Sequence, residues 1–435
     1  MPYKLSLFSA IAINLNIMLG AGIFLNSIPL AKYAGGLGFM PYIIIGILLV
    51  PLIIAMATLL NYNEEGTFYD VSKREIGPLF GFISSWTYFV AKPASAALMI
   101  HFSTHLMQQL FPILQHISSF TLDFIIIGIY VSLNLLNMKI GRAIQFSFLS
   151  IKTIPLLFII FAGFWFFKFQ NFASINFNLS GVSMGLPLAL FASSGFEATL
   201  SLSQHIKNSK QNAPRAIIFS YLFAIFIYII YQVCYFAPLN LAYLTSIESF
   251  NGIAFFIQSI YTNMHTSLQA LMYTCIAISA LGGAYSIIFS NNWNLYTLAH
   301  NGHTFFPQLL TKKNQSGIAY WCLFTEISLC LIYIILTRAN QIMLQQISAF
   351  GSSIAYTISI IAFILLAFKT IKKNWARIIA ILAFINCLAL IAFCINGFIN
   401  HGPSALYGFI TIQILGLIMY ILMRKSPSQK IPTQI

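Results

Sequence analysis

The chain has 435 residues, of which 59% are hydrophobic and only 7% carry a formal charge, whereas about 25% of residues in soluble domains are charged. This composition excludes a soluble globular protein. The formal net charge of +14 does not indicate nucleic-acid binding, because the basic residues lie in short loops between apolar segments, where anionic lipid attracts them.

Apolar segments long enough to cross a bilayer recur along the whole chain, and each crossing needs about 20 residues. We predict an all-α polytopic membrane protein with about twelve transmembrane helices. The predicted spans are 6–31, 39–60, 80–110, 122–138, 144–167, 183–203, 214–238, 267–298, 319–337, 344–368, 376–397 and 404–423. The first span is too long and too interrupted by glycine for a cleaved signal peptide, so we expect it to be retained.

The basic residues of the loops divide unequally between the two sides of the membrane when the connections are numbered alternately. One side receives only Lys32, Lys168 and Arg338. The other, termed the basic side below, receives Lys4, Lys73, Arg74, Lys139, Arg142, Lys207, Lys210, Arg215, Lys312, Lys313, Lys369, Lys372, Lys373, Arg377, Arg424, Lys425 and Lys430. The positive-inside rule then predicts that both termini lie in the cytoplasm. We expect the protein to lie in a plasma (bacterial inner) membrane.

Two spans carry an interruption near their centres. The first contains "GAGIF", in which Gly20 and Gly22 each cost about 1 kcal/mol of helix propensity. The sixth contains Ser193, Ser194 and Gly195, followed by the acidic Glu197. Gly22 and Gly195 are 173 residues apart, which matches the spacing between the second and seventh spans. The chain is therefore interpreted as two five-span halves, each with a broken first helix.

Paired interruptions of this kind indicate a binding site in the middle of the membrane. Main-chain N–H groups at the start of a half-helix suit a carboxylate, and carbonyl groups at the end of one suit an ammonium. A zwitterion offers both groups. The predicted site residues are Gly20, Ala21, Gly22, Ile23, Phe24, Phe191, Ala192, Ser193, Ser194 and Gly195. The alternative is that the glycines only allow close helix packing.

Three motifs in order resemble those of the amino acid, polyamine and organocation permeases. They are "GAGIF" with "AKYAGG" after it, "GFEATLSLSQHIKNSKQNAPRAI" at Gly195 to Ile217, and "LAHNGHTFFPQ" at Leu298 to Gln308. The resemblance implies a LeuT-type fold, with a five-plus-five inverted repeat, broken helices 1 and 6 and two further C-terminal helices. One transporter domain then covers 1–425, with repeats at about 5–168 and 180–370 and extra helices at about 376–423, before a short cytoplasmic tail at 426–435.

Four positions depart from the family pattern. Ala21 stands where many members have Ser or Thr, and Ser209 replaces a proline. His300 and Asn301 replace an Arg and an Asp that often help to close the cytoplasmic side. These changes affect substrate contact and gating rather than the fold.

Two ionisable residues inside predicted spans have roles that the resemblance implies, since an unneeded charge there costs at least about 2.5 kcal/mol. Lys152, in the fifth span, resembles a lysine that stands in for the coupling cation of sodium-dependent relatives and can load by protonation. The alternative is a lysine that snorkels to the cytoplasmic surface. Glu197 is expected to hold and gate the broken sixth helix, with direct recognition of an amino group as the alternative.

Three further side chains have competing interpretations. Lys92, one turn from Tyr88 on the pocket-lining third helix, either faces the substrate and disfavours cations or pairs with Glu197 or Glu326. Phe191 has the position of the family's aromatic gate, although core packing is the default for any single phenylalanine. Glu326, in the ninth span, is expected to be structural, by snorkelling or pairing.

The sequence therefore predicts a secondary active amino acid transporter that works by alternating access, as a proton symporter or an exchanger. A carrier of polyamines or other small amines is the main alternative, and a channel or a non-transporting sensor is a more remote one. We expect no enzyme activity, because no nucleophile–base pair or metal motif occurs in a span. The six cysteines form no metal-binding pattern, so we expect no metal and no cofactor other than a coupling proton.

Overall fold

The structure is a computed structural model that describes residues 4–62, 66–173, 179–261, 266–401 and 403–424. The predicted tail at 426–435, with Lys425 and Lys430, lies outside the described residues. Helices account for almost all of the described chain.

The described helices follow one another without a β-sheet between them in the parts of the chain that the structure covers. They are α1 (Leu7–Met18), α2 (Ala21–Leu25), α3 (Ser27–Ala34), α4 (Met40–Tyr62), α5 (Phe68–Glu75), α6 (Pro78–Leu110), α7 (Ser119–Asn134), α8 (Met138–Trp165), α9 (Gln170–Ala173), α10 (Leu179–Ser193), α11 (Ala198–Ser201), α12 (Ser209–Phe236), α13 (Gly252–Ile260), α14 (Thr266–His300), α15 (Pro307–Leu310), α16 (Tyr320–Thr337), α17 (Gln341–Leu366), α18 (Asn374–His401) and α19 (Pro403–Arg424).

Ten segments among the described residues are long and apolar enough to cross a membrane. Two more helices complete the predicted set: α6 has 33 residues, and α7 is a shorter apolar helix of 16 residues. The protein is an integral membrane protein with roughly twelve spans, as its composition predicts. Its division into two repeats remains a prediction.

Polar residues at the helix starts correct some predicted boundaries. The fourth span was predicted to run to residue 138 and the fifth to begin at 144, but α7 ends at Asn134 and α8 begins at Met138. The reason is that the Asn137 side chain accepts a hydrogen bond from the Ile140 amide and caps α8. Asn340 caps α17 in the same way, through the Met343 amide.

The long helix α6 lies at the centre of the molecule and packs along α14 and α17. The helices that carry the predicted interruptions surround this centre: α1 packs on α8, α12 and α14, and α10 packs on α3, α4 and α17. Large buried tyrosines fill the space between these helices, including Tyr228, Tyr231 and Tyr285. Both interruptions therefore lie inside the bundle, away from lipid.

Candidate functional site

The first interruption separates α1 from α2 at Leu19 and Gly20. The break therefore comes just before Gly22, which lies inside the short helix α2. Gly20 leaves the helical conformation, with φ −80° and ψ −145°. A Cβ atom on Gly20 would lie 2.9 Å from the main-chain carbonyl oxygen of Ile17, so a larger residue here would require the backbone to shift.

The second interruption is a four-residue turn, Ser194 to Glu197, between α10 and α11. Gly195 has φ +126°, which side chains strongly disfavour. A Cβ atom there would also lie 2.6 Å from Ile17 Cγ2 in α1. Glycine is thus required twice over, by conformation and by the close approach of the other broken helix.

The two interrupted helices meet each other in the bundle. A Cβ atom on Gly22 would lie 3.2 Å from Ala192 Cα and 3.3 Å from Phe191 Cε1. The structure thus brings the two predicted groups of site residues into contact. All ten of these residues are buried: Gly20, Ala21, Gly22, Ile23, Phe24, Phe191, Ala192, Ser193, Ser194 and Gly195.

Tyr228, on α12, joins the two interruptions through a single hydroxyl group. The hydroxyl oxygen lies 2.5 Å from the carbonyl oxygen of Met18, at the end of α1, and 2.7 Å from that of Ala192, near the end of α10, and its one proton is shared between these two acceptors. Other carbonyls at the second interruption also have donors within the protein: Phe191 O accepts from the Ser194 hydroxyl at 2.8 Å. Some of the main-chain carbonyls at the interruptions therefore already have hydrogen-bond donors within the protein.

Lys92 and Glu197 form a buried salt bridge beside the second interruption. Lys92 Nζ lies 2.8 Å from Glu197 Oε1 and donates to the Ser194 hydroxyl oxygen at 3.2 Å. The Tyr88 hydroxyl donates to the same carboxylate at 3.0 Å, so Tyr88 and Lys92 share a helix face as predicted. The other oxygen of Glu197 accepts from the Gly195 amide at 2.7 Å. Of the two predicted partners for Lys92, the structure selects Glu197.

Lys152, on α8, is fully buried, and its ammonium group donates to the Asn16 carbonyl oxygen at 2.8 Å. The alternative that Lys152 snorkels to the surface is therefore wrong. Its ammonium group thus contacts the last turn of α1 before the first interruption, as the coupling hypothesis requires. The coupling role itself remains a prediction.

Glu326, on α16, is fully buried rather than snorkelling. One of its carboxyl oxygens accepts from the Asn291 side chain on α14 at 3.0 Å. Asn291 also donates to the Phe89 carbonyl oxygen on α6 at 3.0 Å. Through Asn291, Glu326 therefore links α16 and α14 to α6, as a structural role requires.

Several contacts close the basic side below the interruptions. The Leu5 amide donates to the His205 carbonyl oxygen, and the Lys207 amide donates to the Leu5 carbonyl oxygen, both at 2.8 Å. Lys73 donates to Asn301, one of the departures from the family pattern, at 2.9 Å. A neutral amide thus takes part in this closure.

His303 makes a further contact on the basic side, 2.6 Å from its Nε2 atom to the Tyr69 hydroxyl oxygen. Burial, with a smaller contribution from the Lys73 ammonium, lowers the pKa of His303 to about 4. Nothing in the sequence indicated a role for His303, and the structure places it in this closure.

Aromatic and amide side chains cover the interruptions on the opposite side. Phe24 packs edge-on against Tyr231 with the ring centres 5.9 Å apart. The Asn26 side chain donates to the Leu188 carbonyl oxygen at 2.8 Å and accepts from Gln345 at 3.1 Å. These contacts join α10 and α17 to the segment between α2 and α3.

Sequence reasoning missed Tyr228, Asn14 and Asn16. Asn14 accepts from the Thr199 amide at 3.2 Å and so binds the first turn of α11 to α1. The pattern "INLN" at 13–16 carried a usable signal, because two amides in an apolar span need partners. Tyr228 carried none, since the chain has 21 tyrosines and nothing local distinguishes this one.

A bundle of membrane-spanning helices with two interruptions facing each other in its interior defines the class of membrane carriers built on paired broken helices. Among the described residues no group of three or more His, Cys, Asp or Glu side chains could hold a metal. A profile described as "Amino acid permease" matches residues 5–421, and the chain belongs to this family.

Two relatives show what the chain is similar to. The D-serine/D-alanine/glycine transporter of Escherichia coli (strain K12) is 26% identical over 216 residues, which cover 46% of this chain and 45% of the transporter. The chain thus matches about half the length of that relative. The b(0,+)-type amino acid transporter 1 of Mus musculus is 23% identical over 443 residues, covering 96% of this chain and 87% of the relative.

Proposed function

We propose that this protein is a secondary active transporter that carries amino acids across the membrane by alternating access, rather than an enzyme. The observation that carries the proposal is the contact of the two interrupted helices, where Gly22 meets Phe191 and Ala192 inside the bundle. Each main-chain polar group that a broken helix leaves without a partner in the membrane costs several kcal/mol. Two breaks that lie in contact therefore indicate a functional role.

The chemistry of the two breaks supports an amino acid as the substrate. The amides of Ala21 to Ile23 begin the half-helix after the first break and can receive a carboxylate. The carbonyl groups around Phe191 to Ser194 end the half-helix before the second break and can receive an ammonium. Both relatives are named as amino acid transporters, which supports the same substrate class.

The closed arrangement supports alternating access. All the predicted site residues are buried, with side chains packed over them on both sides. On the basic side, a cavity of about 1140 Å³ reaches Ser203, just beyond α11, and is lined by Lys4, Asp70 and Arg74. Release of the contacts between this cavity and the breaks would open a path for the substrate. We propose that the basic side is the cytoplasmic face of a plasma (bacterial inner) membrane, with both termini in the cytoplasm.

Lys152 is the proposed site of energy coupling. Its ammonium donates to the Asn16 carbonyl, so loss of a proton would weaken this link between the end of α1 and α8. We propose that this proton drives symport. If the protein is an exchanger, Lys152 holds the same bridge permanently and a counter-substrate drives the cycle.

The test is uptake by purified protein in liposomes, with radiolabelled glycine, alanine and serine as probes. Saturable uptake, and faster uptake when liposomes are preloaded with unlabelled substrate, would support a carrier. Flux near diffusion rates would indicate a channel, and binding without movement would indicate a sensor. Uptake that an imposed pH gradient drives without internal substrate would separate symport from exchange.

A further inference from the structure

Lys92 and Glu197 form an ion pair in the wall of the predicted site rather than at a distance from it. Lys92 Nζ lies 2.8 Å from Glu197 Oε1, and the two side chains are 2% and 0% exposed. Lys92 also donates to Ser194, and Glu197 accepts from the Gly195 amide. Ser194 and Gly195 belong to the second interruption, so any change in this pair acts directly on the site.

The pair is electrically neutral as a whole. A buried carboxylate without a partner strongly attracts a cation, because an unpaired charge is costly in a low-dielectric interior. Here Lys92, on the neighbouring helix α6, already neutralises the Glu197 carboxylate. A second buried lysine, Lys152, lies at the first interruption through its bond to Asn16.

We infer that the Lys92–Glu197 pair sets the charge selectivity of the site. The site takes amino acids with uncharged side chains and rejects cationic amino acids and polyamines. A cationic substrate side chain would be repelled by the Lys92 ammonium and would find no unpaired carboxylate to bind. An acidic side chain would be repelled by the Glu197 carboxylate, and Lys92 is already paired with that carboxylate. This inference rests on the proposed amino acid transport.

The two partners can be removed separately, and the expected effects have opposite signs. Lys92→Gln keeps a hydrogen-bond donor for Ser194 and Glu197 but leaves the Glu197 carboxylate uncompensated, so it should admit cationic substrates. Glu197→Gln keeps an acceptor for the Gly195 amide but leaves Lys92 uncompensated, so it should admit acidic substrates. The double variant has no unpaired charge and should lose both gains.

The experiment measures uptake of radiolabelled alanine, lysine, glutamate and putrescine into liposomes by the wild type, both single variants and the double variant. We expect wild-type protein to favour alanine over lysine and over putrescine by at least about tenfold. Lys92→Gln should raise the lysine-to-alanine ratio by about tenfold, and Glu197→Gln should raise the glutamate-to-alanine ratio by a similar factor. Lys369→Gln, at an exposed lysine, is the matched control and should leave the ratios unchanged.

Wild-type protein that takes up lysine as well as alanine would overturn the inference. So would a Lys92→Gln variant that carries alanine but gains no lysine uptake. If Lys92→Gln does not insert into the membrane, the ratio of lysine uptake to alanine uptake by the wild type tests the inference alone. Wild-type protein that moves none of the four probes would instead contradict the proposed function, and the inference would fall with it.

Discussion

The ammonium group of Lys152 lies 2.8 Å from the main-chain carbonyl oxygen of Asn16. This bond joins α8 to the last turn of α1, directly before the first interruption. The side-chain amide of Asn16 donates to Gln145 Oε1, also on α8, at 2.7 Å. The Asn16 side chain also donates to the main-chain oxygen of Gln145 at 2.7 Å, so three hydrogen bonds to α8 meet at Asn16. Of the partners, only Lys152 can gain or lose a proton.

Replacing Lys152 with alanine should flatten the dependence of uptake on pH. The variant has no ammonium to bind Asn16 and no proton to exchange, so uptake at pH 5.5 and pH 7.5 should become similar. Initial uptake rates in liposomes across this range test the prediction. Lys139→Ala, at an exposed position on the same helix, is the control and should keep the wild-type profile. A pH profile unchanged in Lys152→Ala would remove this residue as the coupling group.

Replacing Gly22 with leucine should abolish uptake without preventing insertion. The new Cβ atom would lie 3.2 Å from Ala192 Cα and 3.3 Å from Phe191 Cε1, and the rest of the side chain would occupy the contact between the interruptions. Uptake and membrane abundance are measured together. Gly128→Leu is the control, because a Cβ atom on Gly128 meets no atom within 4 Å. Normal transport by Gly22→Leu would rule out a site at the first interruption.

Replacing Tyr228 with phenylalanine should lower both stability and transport. The change leaves the buried carbonyls of Met18 and Ala192 without their common donor, which should cost about 1–3 kcal/mol of unfolding free energy. Thermal unfolding in detergent measures the loss. In the control Tyr285→Phe, the removed hydroxyl has no hydrogen-bond partner among the described residues, so little change is expected. Equal unfolding temperatures for the two variants would contradict the bridging role of Tyr228.

His303 should make the folded protein less stable as the pH falls from about 6.5 towards 4. Burial and Lys73 lower its pKa from 6.5 to about 4, so the unfolded chain binds a proton in this window before the folded protein does. The apparent unfolding temperature of His303→Gln should therefore fall less steeply than that of the wild type between these pH values. His116→Gln, at an exposed histidine, should behave as the wild type does. Identical slopes for His303→Gln and wild type would show that the ring is not held neutral by the fold.

The residues at the two interruptions were predictable because their signals are local. Glycines and serines at mid-span weaken a helix wherever they occur, so Gly20, Gly22 and Gly195 could be found without a structure. The helix boundaries were less certain: a single capping residue, Asn137, places the start of α8 six residues before the predicted position, 144. Capping adds a small energy that the hydropathy of a long window does not detect.

Sequence alone determined that this is a membrane protein with about twelve spans and two broken helices, because the bilayer imposes length, apolarity and internal hydrogen bonding on each segment separately. The tertiary structure alone decided which buried groups meet. It paired Lys92 with Glu197 rather than Glu326, and it placed the Tyr228 hydroxyl between Met18 and Ala192. Such partners depend on how each helix is rotated and packed against the others, and no local pattern of residues specifies that.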